Sequence, residues 1–315
     1  MQVTSHKYGF RRLKSMAALE EIQAAVSSIQ ERVGPAVVGV GNGWRGGSGV
    51  ILADGVVLTN AHNLRGDGVT VVFSDGREVE GKTGGIDMDG DLAAVLVDTA
   101  GATPLEWAAD GAAGVGQPVF GVSNPRGQGL RVTFGLVSGV ERAFRGPRGR
   151  RITGSIEHTA PLSPGSSGGP IVNAAGELVG LNTNRLGDGF YLAIAADESL
   201  RERVAQLGRG ESPSRPRLGV AVAPGAAARR MRRAVGLPEH DGVLVREVEE
   251  GSPAAAAGLQ EGDLITRLGD RPVSSVDELQ DALAAFGKDS LEMRFLRGAE
   301  ERTVSVQLKD SGSSD

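Results

Sequence analysis

The first apolar pattern along the chain has a helical period. Apolar residues recur at steps of three and four before residue 34: Leu19, Ile22, Val26, Ile29 and Val33. This spacing predicts a helix over residues 15–33, with Ser15 as its cap and Gly34-Pro35 at its end. Its apolar face either packs on the domain that follows or mediates self-association.

From Pro35 to about Asp197 the pattern changes to short apolar runs separated by glycine-rich turns. The runs cover residues 36–40, 49–52, 55–59, 69–73, 93–97, 117–122, 130–140, 169–172, 177–183 and 190–195. Short strands joined by Gly or Asp-Gly turns are typical of antiparallel barrels. Because ten strands are too many for one small barrel, we expect two packed barrels, closed by a helix over residues 197–208.

A polar stretch without apolar periodicity, residues 208–216, then predicts a linker. Beyond it, strands are predicted at residues 217–222, 242–248, 263–268, 291–296 and 302–308, and helices at 252–259 and 276–286. The predicted organisation is an N-terminal segment with its helix (1–33), a β domain (34–207), the linker (208–216), a smaller domain (217–309) and a tail (310–315).

Composition excludes several classes of function. The 34 basic and 39 acidic residues leave a formal net charge of −5, which gives no general attraction to nucleic acid or to an anionic membrane. Cysteine is absent, which excludes disulfides, thiolate metal sites and a cysteine nucleophile. The four histidines form no HxxH or HExxH pair, so we expect no metal and no cofactor.

Hydropathy bears on the compartment. No apolar run approaches the ~18 residues of a membrane span, so we expect no membrane-spanning segment. The basic, polar N-terminus also lacks the apolar core of a secretion leader. These features predict a cytoplasmic protein, or a periplasmic or extracellular one if a leader has been removed.

The strongest chemical signal is PGSSGGP at residues 164–170. Such a turn can point several backbone N–H groups into one hollow, as a nucleophilic serine requires. Ser166 and Ser167 are both candidates on spacing alone, and a plain turn between strands is the alternative. His62 follows a strong strand, and Asp91 precedes an apolar run. The order His, Asp, Ser is one of the known orders of the serine-hydrolase triad.

Three blocks carry a resemblance to a known family: TNAHN (59–63), DGDLAAVLV (89–97) and LSPGSSGGPIVN (162–173). They resemble the catalytic blocks of the HtrA (Deg) serine proteases, which have a chymotrypsin fold and one or two PDZ domains. The family's usual GNSGGP aligns its nucleophile with Ser167. The resemblance implies His62 as general base, Asp91 as the acid that orients it, and an oxyanion hole in the turn Gly165-Ser166-Ser167, with the N–H groups of Gly165 and Ser167 as donors.

The second module resembles a PDZ domain through EEGSPAAAAGLQEGDLITRLGDRPVSSVDELQDAL (249–283). The resemblance makes Leu218, Gly219 and Val220 the strand that captures a peptide C-terminus by β-augmentation. Leu279 and Leu283 share a helical face and either line the peptide groove or belong to the core. The predicted fold is mostly β: a chymotrypsin-like double β-barrel followed by an α+β PDZ domain, with a short N-terminal helix.

The resemblance also implies substrates and assembly. Substrates would be unfolded or misfolded polypeptides in protein quality control. The assembly would be a homotrimer, with Tyr8 and Phe10 as candidate contacts. The residues implied for the substrate pocket are Leu162, Leu181, Asn182, Thr183 and Leu186. Their aliphatic members predict cleavage after small or medium apolar residues.

Three features depart from the family's pattern. Asn63 stands where an aliphatic residue is more usual, Ala160 stands where Asp is common, and FYLAIAAD (190–197) replaces a glycine-richer strand. None removes a catalytic group, but they bear on substrate preference and on the loop before Ser167.

Other patterns have plainer interpretations. GNGWRG (41–46) fits GxGxxG, but a strand instead of a helix follows it. The arginine-rich stretches 141–151 and 229–233 are either solvated loops or a surface for an acidic partner, and we interpret His158 as structural. Two other functions stay open here: a peptide-binding chaperone with a dormant protease site, and a PDZ scaffold.

Overall fold

The computed structural model describes residues 5–42, 45–64, 66, 68–109, 113–147, 149–187, 189–213, 216–286 and 290–308, without the side chains of residues 5–16, 42, 45 and 286. The chain divides into two compact units, Met1–Ser212 and Pro213–Asp315. Tyr8 and Phe10, the candidate trimer contacts, lie outside the described side chains. Within the described ranges, no helix is long and apolar enough to cross a membrane.

Helix α1 (Ser5–Val33) begins well before the predicted start at residue 15. The predicted start was wrong because the first turns carry no apolar periodicity. Ile29 and Val33 are buried in the core of the first unit, whereas Leu19 is 65% exposed. Arg32 stabilises the C-terminal end of α1 by donating to the backbone carbonyls of Ala174 and Ala175. The end of the predicted apolar face therefore docks on the domain that follows.

Six strands close an antiparallel barrel in the order β1-β2-β3-β6-β5-β4. They are β1 (Val37–Asn42), β2 (Arg45–Ala53), β3 (Val56–Thr59), β4 (Gly68–Val72), β5 (Glu78–Asp87) and β6 (Leu92–Leu96). The apolar pattern does not predict β5, because its sequence EVEGKTGGID is charged and rich in glycine. Pairing with β4 and β6 places it in the barrel.

Six more strands close a second barrel in the order β10-β11-β12-β9-β8-β7. They are β7 (Pro118–Ser123), β8 (Arg131–Arg145), β9 (Arg151–His158), β10 (Pro170–Val172), β11 (Leu178–Gly187) and β12 (Phe190–Ala195). The arginine-rich stretch 141–151 thus belongs largely to the β8–β9 hairpin and is not a free loop. The predicted pair of barrels is confirmed.

One hydrophobic core runs through both barrels. Its buried cluster includes Val50 and Leu58 from the first barrel and Leu181 and Leu192 from the second. Helix α2 (Glu198–Gly208) packs its apolar face on the same cluster. The barrels are therefore halves of one folded unit.

The second unit is built on a sheet of order β13-β14-β15-β17-β18, with β16 paired to β15. Its elements are β13 (Val220–Ala223), α3 (Gly225–Ala234), β14 (Val243–Val248), α4 (Pro253–Ala256), β15 (Leu264–Leu268), β16 (Arg271–Pro272), α5 (Val276–Phe286), β17 (Ser290–Arg297) and β18 (Glu300–Gln307). Helix α3 corrects the expectation of a solvated loop at residues 229–233. Arg232 is buried there and donates to two backbone carbonyls, while Arg229 and Arg233 form ion pairs.

Candidate active site

Two neighbouring strands of the first barrel bring His62 and Asp91 together. Strand β3 runs into a 3-10 turn, Ala61–Asn63, that carries His62. Asp91 lies in the turn before β6, with a positive φ of 54°. Because β3 and β6 are paired antiparallel, the end of one strand lies beside the start of the other. The two side chains, far apart in sequence, therefore meet at one edge of the barrel.

The imidazole of His62 is held by the carboxylate of Asp91. Nδ1 of His62 lies 2.9 Å from each carboxylate oxygen, and the backbone N–H of His62 donates to Oδ1 at 3.2 Å. A carboxylate only accepts hydrogen bonds, so Nδ1 carries the proton and the lone pair is left on Nε2. The ring is partly exposed, at 38% of its side-chain surface. This is the tautomer that a general base requires.

Asp91 is buried, and its polar atoms have partners. The residue is 2% exposed. The Thr183 hydroxyl donates to Oδ2 at 2.7 Å, and the Asn60 amide donates to the Asp91 backbone carbonyl at 3.0 Å. Burying an unpaired carboxylate would be costly, and the hydrogen bonds that Thr183 and His62 donate to the carboxylate offset that cost. The family resemblance implies a place for Thr183 in the substrate pocket, and no sequence signal indicates its contact with Asp91.

The structure separates the two candidate serines. Ser166 is 2% exposed, and its hydroxyl lies within hydrogen-bond distance of those of Ser123 and Ser163, at 3.1 and 3.3 Å. The hydroxyl of Ser167 donates to the carbonyl of Thr183 at 3.1 Å. Among the described residues, no hydrogen bond joins it to His62. Catalytic hydrogen bonds are often long before substrate binds and shorten in the complex with substrate.

In the part of the chain that the structure describes, two N–H groups of the turn around Ser167 have no acceptor. Within the described ranges, the N–H groups of Gly165 and Ser167 donate to no protein atom, and Gly165 has a φ of 88°. The N–H of Ser166 donates to the carbonyl of Ser163 at 3.1 Å, so it is not free to bind an oxyanion. The geometry therefore favours Gly165 and Ser167 as donors over Ser166.

Ser48 holds this turn against the first barrel, a role with no signal in the sequence analysis. It is fully buried, and its N–H donates to the carbonyl of Ser167 at 2.8 Å. Its hydroxyl donates to the carbonyl of Gly165 at 2.9 Å and accepts from the N–H of Asn124 at 3.0 Å. The carbonyls of Gly165 and Ser167 are thus both fixed by one residue of β2.

The residues implied for the substrate pocket do not share one surface. Leu181 is fully buried in the hydrophobic core and is a core residue, which corrects the expectation that it touches substrate. Asn182 is also buried and faces His158, while Leu186 is 51% exposed near the end of β11. The register of β11 shifts between Asn182 and Asn184, so simple alternation does not assign the faces. Leu162 is half-buried.

His158 is a fully buried histidine of strand β9. Its Nε2 lies 3.0 Å from Oδ1 of Asn182, and its ring stacks on Tyr191. Nδ1 has no partner among the described residues. Burial lowers the pKa of His158 from 6.5 to about 4, against the smaller raising effect of the Asn182 hydrogen bond. The residue is therefore neutral in the folded protein at neutral pH.

This burial predicts a pH-dependent stability. The unfolded chain takes up a proton near pH 6.5 and the folded chain only near pH 4, so stability falls as pH drops through that window. The variant His158→Gln keeps an amide donor for Asn182. Between pH 7.5 and 5, we expect its free energy of unfolding to fall by about 2 kcal/mol less than that of wild type. Urea unfolding followed by tryptophan fluorescence measures this in the first unit, which holds both tryptophans. Equal pH dependence of the two proteins would contradict it.

In the second unit, the N–H groups of Leu218 and Gly219 donate to no acceptor among the described residues. Both precede the edge strand β13, which begins at Val220. Gly219 has a φ of 73°, and a Cβ there would collide with Ser252. The side chains of Leu218, Leu279 and Leu283 all lie in the hydrophobic cluster of this unit.

Two family models match the chain: a trypsin-like peptidase domain over residues 47–181 and a PDZ domain over residues 216–308. HhoB of Synechocystis sp., named as a serine protease, is 35% identical over 83% of this chain and 65% of its own length. A DegP-like protein of Halomonas elongata, named as a periplasmic serine endoprotease, is 32% identical over 84% of this chain and 56% of its own length.

A solved structure is also similar: the HtrA-type protease AlgW with a tripeptide. It gives a TM-score of 0.64 at 27% identity and covers 92% of this chain and 98% of that one. The matched region spans 53% to 70% of the length of the curated relatives.

Proposed function

The chain belongs to the HtrA/DegP family of serine proteases, and from this we propose that it is a serine endopeptidase acting on unfolded or misfolded polypeptides. The nucleophile is Ser167, the general base is His62, and Asp91 orients the base. The second unit is a PDZ domain, and its role is to bind peptide C-termini.

The observation that carries this proposal is the hydrogen-bonded series from Thr183 through Asp91 to His62, beside Ser167. It fixes the imidazole in the tautomer whose Nε2 is free to accept a proton. It also crosses between the barrels, since Thr183 belongs to β11 and Asp91 to the turn before β6. A plain glycine-rich turn would not require this arrangement.

The geometry supports acyl transfer. The hydroxyl oxygen of Ser167 forms a bond to the peptide carbonyl carbon while its proton passes to Nε2 of His62. The N–H groups of Gly165 and Ser167 stabilise the negative oxygen of the tetrahedral intermediate. His62 then gives its proton to the departing amine as the C–N bond breaks. Water repeats the sequence on the acyl-enzyme and releases the second product.

The proposal is tested by turnover of casein together with labelling by a fluorophosphonate. We expect wild type to degrade casein and to carry the label on the tryptic peptide that contains Ser167. Labelling in advance should stop turnover, because the phosphonate occupies the nucleophile. If wild type binds casein but neither cleaves it nor takes up the label, the result would instead support a peptide-binding chaperone.

Binding of peptide C-termini rests on the N–H groups of Leu218 and Gly219 at the edge of the second unit, which donate to no acceptor within the described ranges. The AlgW structure is described as holding a tripeptide. We expect a fluorescent peptide with a free C-terminal carboxylate to bind the full chain and its C-terminal amide to bind far more weakly. Fluorescence anisotropy measures both, and equal affinities would contradict carboxylate recognition.

Assembly and compartment remain predictions. A homotrimer would use the N-terminal segment, where Leu19 and Ile22 of α1 are exposed. A cytoplasmic location is the expectation, and three of the relatives are named as periplasmic. Cell fractionation distinguishes the two compartments.

A further inference from the structure

The backbone carbonyl of Ser167 is held from two sides. It accepts from the N–H of Ser48 at 2.8 Å and from Nδ2 of Asn63 at 3.0 Å. Asn63 directly follows His62 in the 3-10 turn of the first barrel. One side chain therefore joins the turn of the general base to the backbone of the nucleophile.

The Asn63 amide also closes a ring of hydrogen bonds. Its Nδ2 donates to the Thr59 hydroxyl at 3.0 Å, and that hydroxyl donates to the carbonyl of Ser48 at 2.7 Å. Ser48 in turn donates its N–H to the carbonyl of Ser167, which completes the ring. The carbonyl of Ser167 can only accept, and Thr59 has already given its one hydrogen. The atom of Asn63 that faces both must therefore be the NH₂ group.

Two glycines lie beside this ring where a side chain would not fit. A Cβ on Gly47 would collide with both the Asn63 amide and the carbonyl oxygen of Ser167. A Cβ on Gly168 would collide with the carbonyl of Ser48 and with the Thr59 hydroxyl. The glycines thus allow β2 and the nucleophile turn to approach closely enough for the amide to span them.

We propose that Asn63 is a positioning residue for the nucleophile: it fixes the carbonyl of Ser167 and with it the direction of the Ser167 hydroxyl and N–H. This inference rests on the proposed function of Ser167. The contacts described for Asn63 are with protein atoms that orient the nucleophile, so its loss should lower kcat and leave KM unchanged. One hydrogen bond of this kind corresponds to about a tenfold effect.

The first test is Asn63→Val, which introduces the aliphatic type more usual at this position in the family. We expect kcat for fluorescein-labelled casein to fall about tenfold with KM within about twofold of wild type. The matched control is Asn173→Val, because the Asn173 amide also makes a partly buried hydrogen bond, to Glu177, in a turn away from the site. The control should keep the wild-type kcat. Circular dichroism at the assay temperature gives the folded fraction by which each rate is divided.

A second variant separates positioning from a loss of structure. Asn63→Asp has the same shape, but its ionised carboxylate repels the carbonyl of Ser167, whereas its protonated form donates to it. We expect the kcat of Asn63→Asp relative to wild type to rise as pH falls, and that of Asn63→Val to stay flat. The described titratable groups of this site, His62 and Asp91, are present in every variant, and Asn63→Val, which adds no charge beside them, is the reference for the pH trend.

The outcomes distinguish this inference from the proposed function. If wild type neither cleaves casein nor takes up fluorophosphonate, the proposed function fails and the role of Asn63 fails with it. If wild type is active and Asn63→Val keeps kcat within about twofold, only the role of Asn63 is wrong. The positioning role is also wrong if the lower kcat of Asn63→Val returns to the wild-type value after division by the folded fraction and the relative kcat of Asn63→Asp does not change with pH.

Discussion

Ser167→Ala is expected to lower kcat for casein hydrolysis by about 10⁶-fold and to abolish fluorophosphonate labelling. The hydroxyl is the only group removed, and its one hydrogen bond within the described structure is to the carbonyl of Thr183. Losing that bond should change stability by about 1 kcal/mol, so the variant folds. Casein turnover and mass spectrometry of the labelled peptide measure the effect.

Ser166→Ala is the matched control for this experiment. It removes the neighbouring hydroxyl, which lies buried against Ser123 and Ser163. We expect it to keep the label and most of the turnover. If Ser166→Ala were inactive and Ser167→Ala were labelled, the nucleophile would be Ser166 and the assignment would be wrong.

Asp91→Asn is expected to lower kcat by about 10⁴-fold at pH 7.5. An amide that donates to Nδ1 of His62 would move the ring proton to Nε2, which could then no longer accept the proton of Ser167. The variant keeps the shape of the buried side chain, so the loss reflects the tautomer rather than packing. Steady-state kinetics and the rate of fluorophosphonate labelling should fall together.

Asp89→Asn provides the control, because it makes the same chemical change two residues away in the same turn. It should retain the wild-type kcat. A kcat of Asp91→Asn within about tenfold of wild type would show that the imidazole does not depend on this carboxylate, and the triad would need another acid.

The sequence predicts those parts of the fold that depend on local pattern. Runs such as residues 93–97 alternate with glycine turns, and this suffices for two barrels. The local pattern does not predict β5 (Glu78–Asp87), whose polar sequence forms a strand only because it pairs with β4 and β6. It also fails for the start of α1, where no apolar period marks the first turns.

Contacts between distant segments set the same limit at the candidate site. Motifs single out His62, Asp91 and Ser167, but the bond from Thr183 to Asp91 joins residues 92 positions apart. Asn63 is visible in the sequence only as a departure from a family pattern, and its acceptor lies across the barrels. The prediction for Leu181 fails for a different reason: residues 178–183 of β11 are buried on both faces, so alternation along the strand does not distinguish a core position from a pocket position.

The hydrophobic cluster that includes Val50, Leu58, Leu181 and Leu192 also has a thermodynamic consequence. Because both barrels contribute to it, neither can open without exposing the apolar surface of the other, and the two should unfold as one cooperative unit. Their slowest-exchanging amides, in β3 and in β11, would then share one opening free energy. An activity that needs groups from both barrels would disappear in the same transition and not before it.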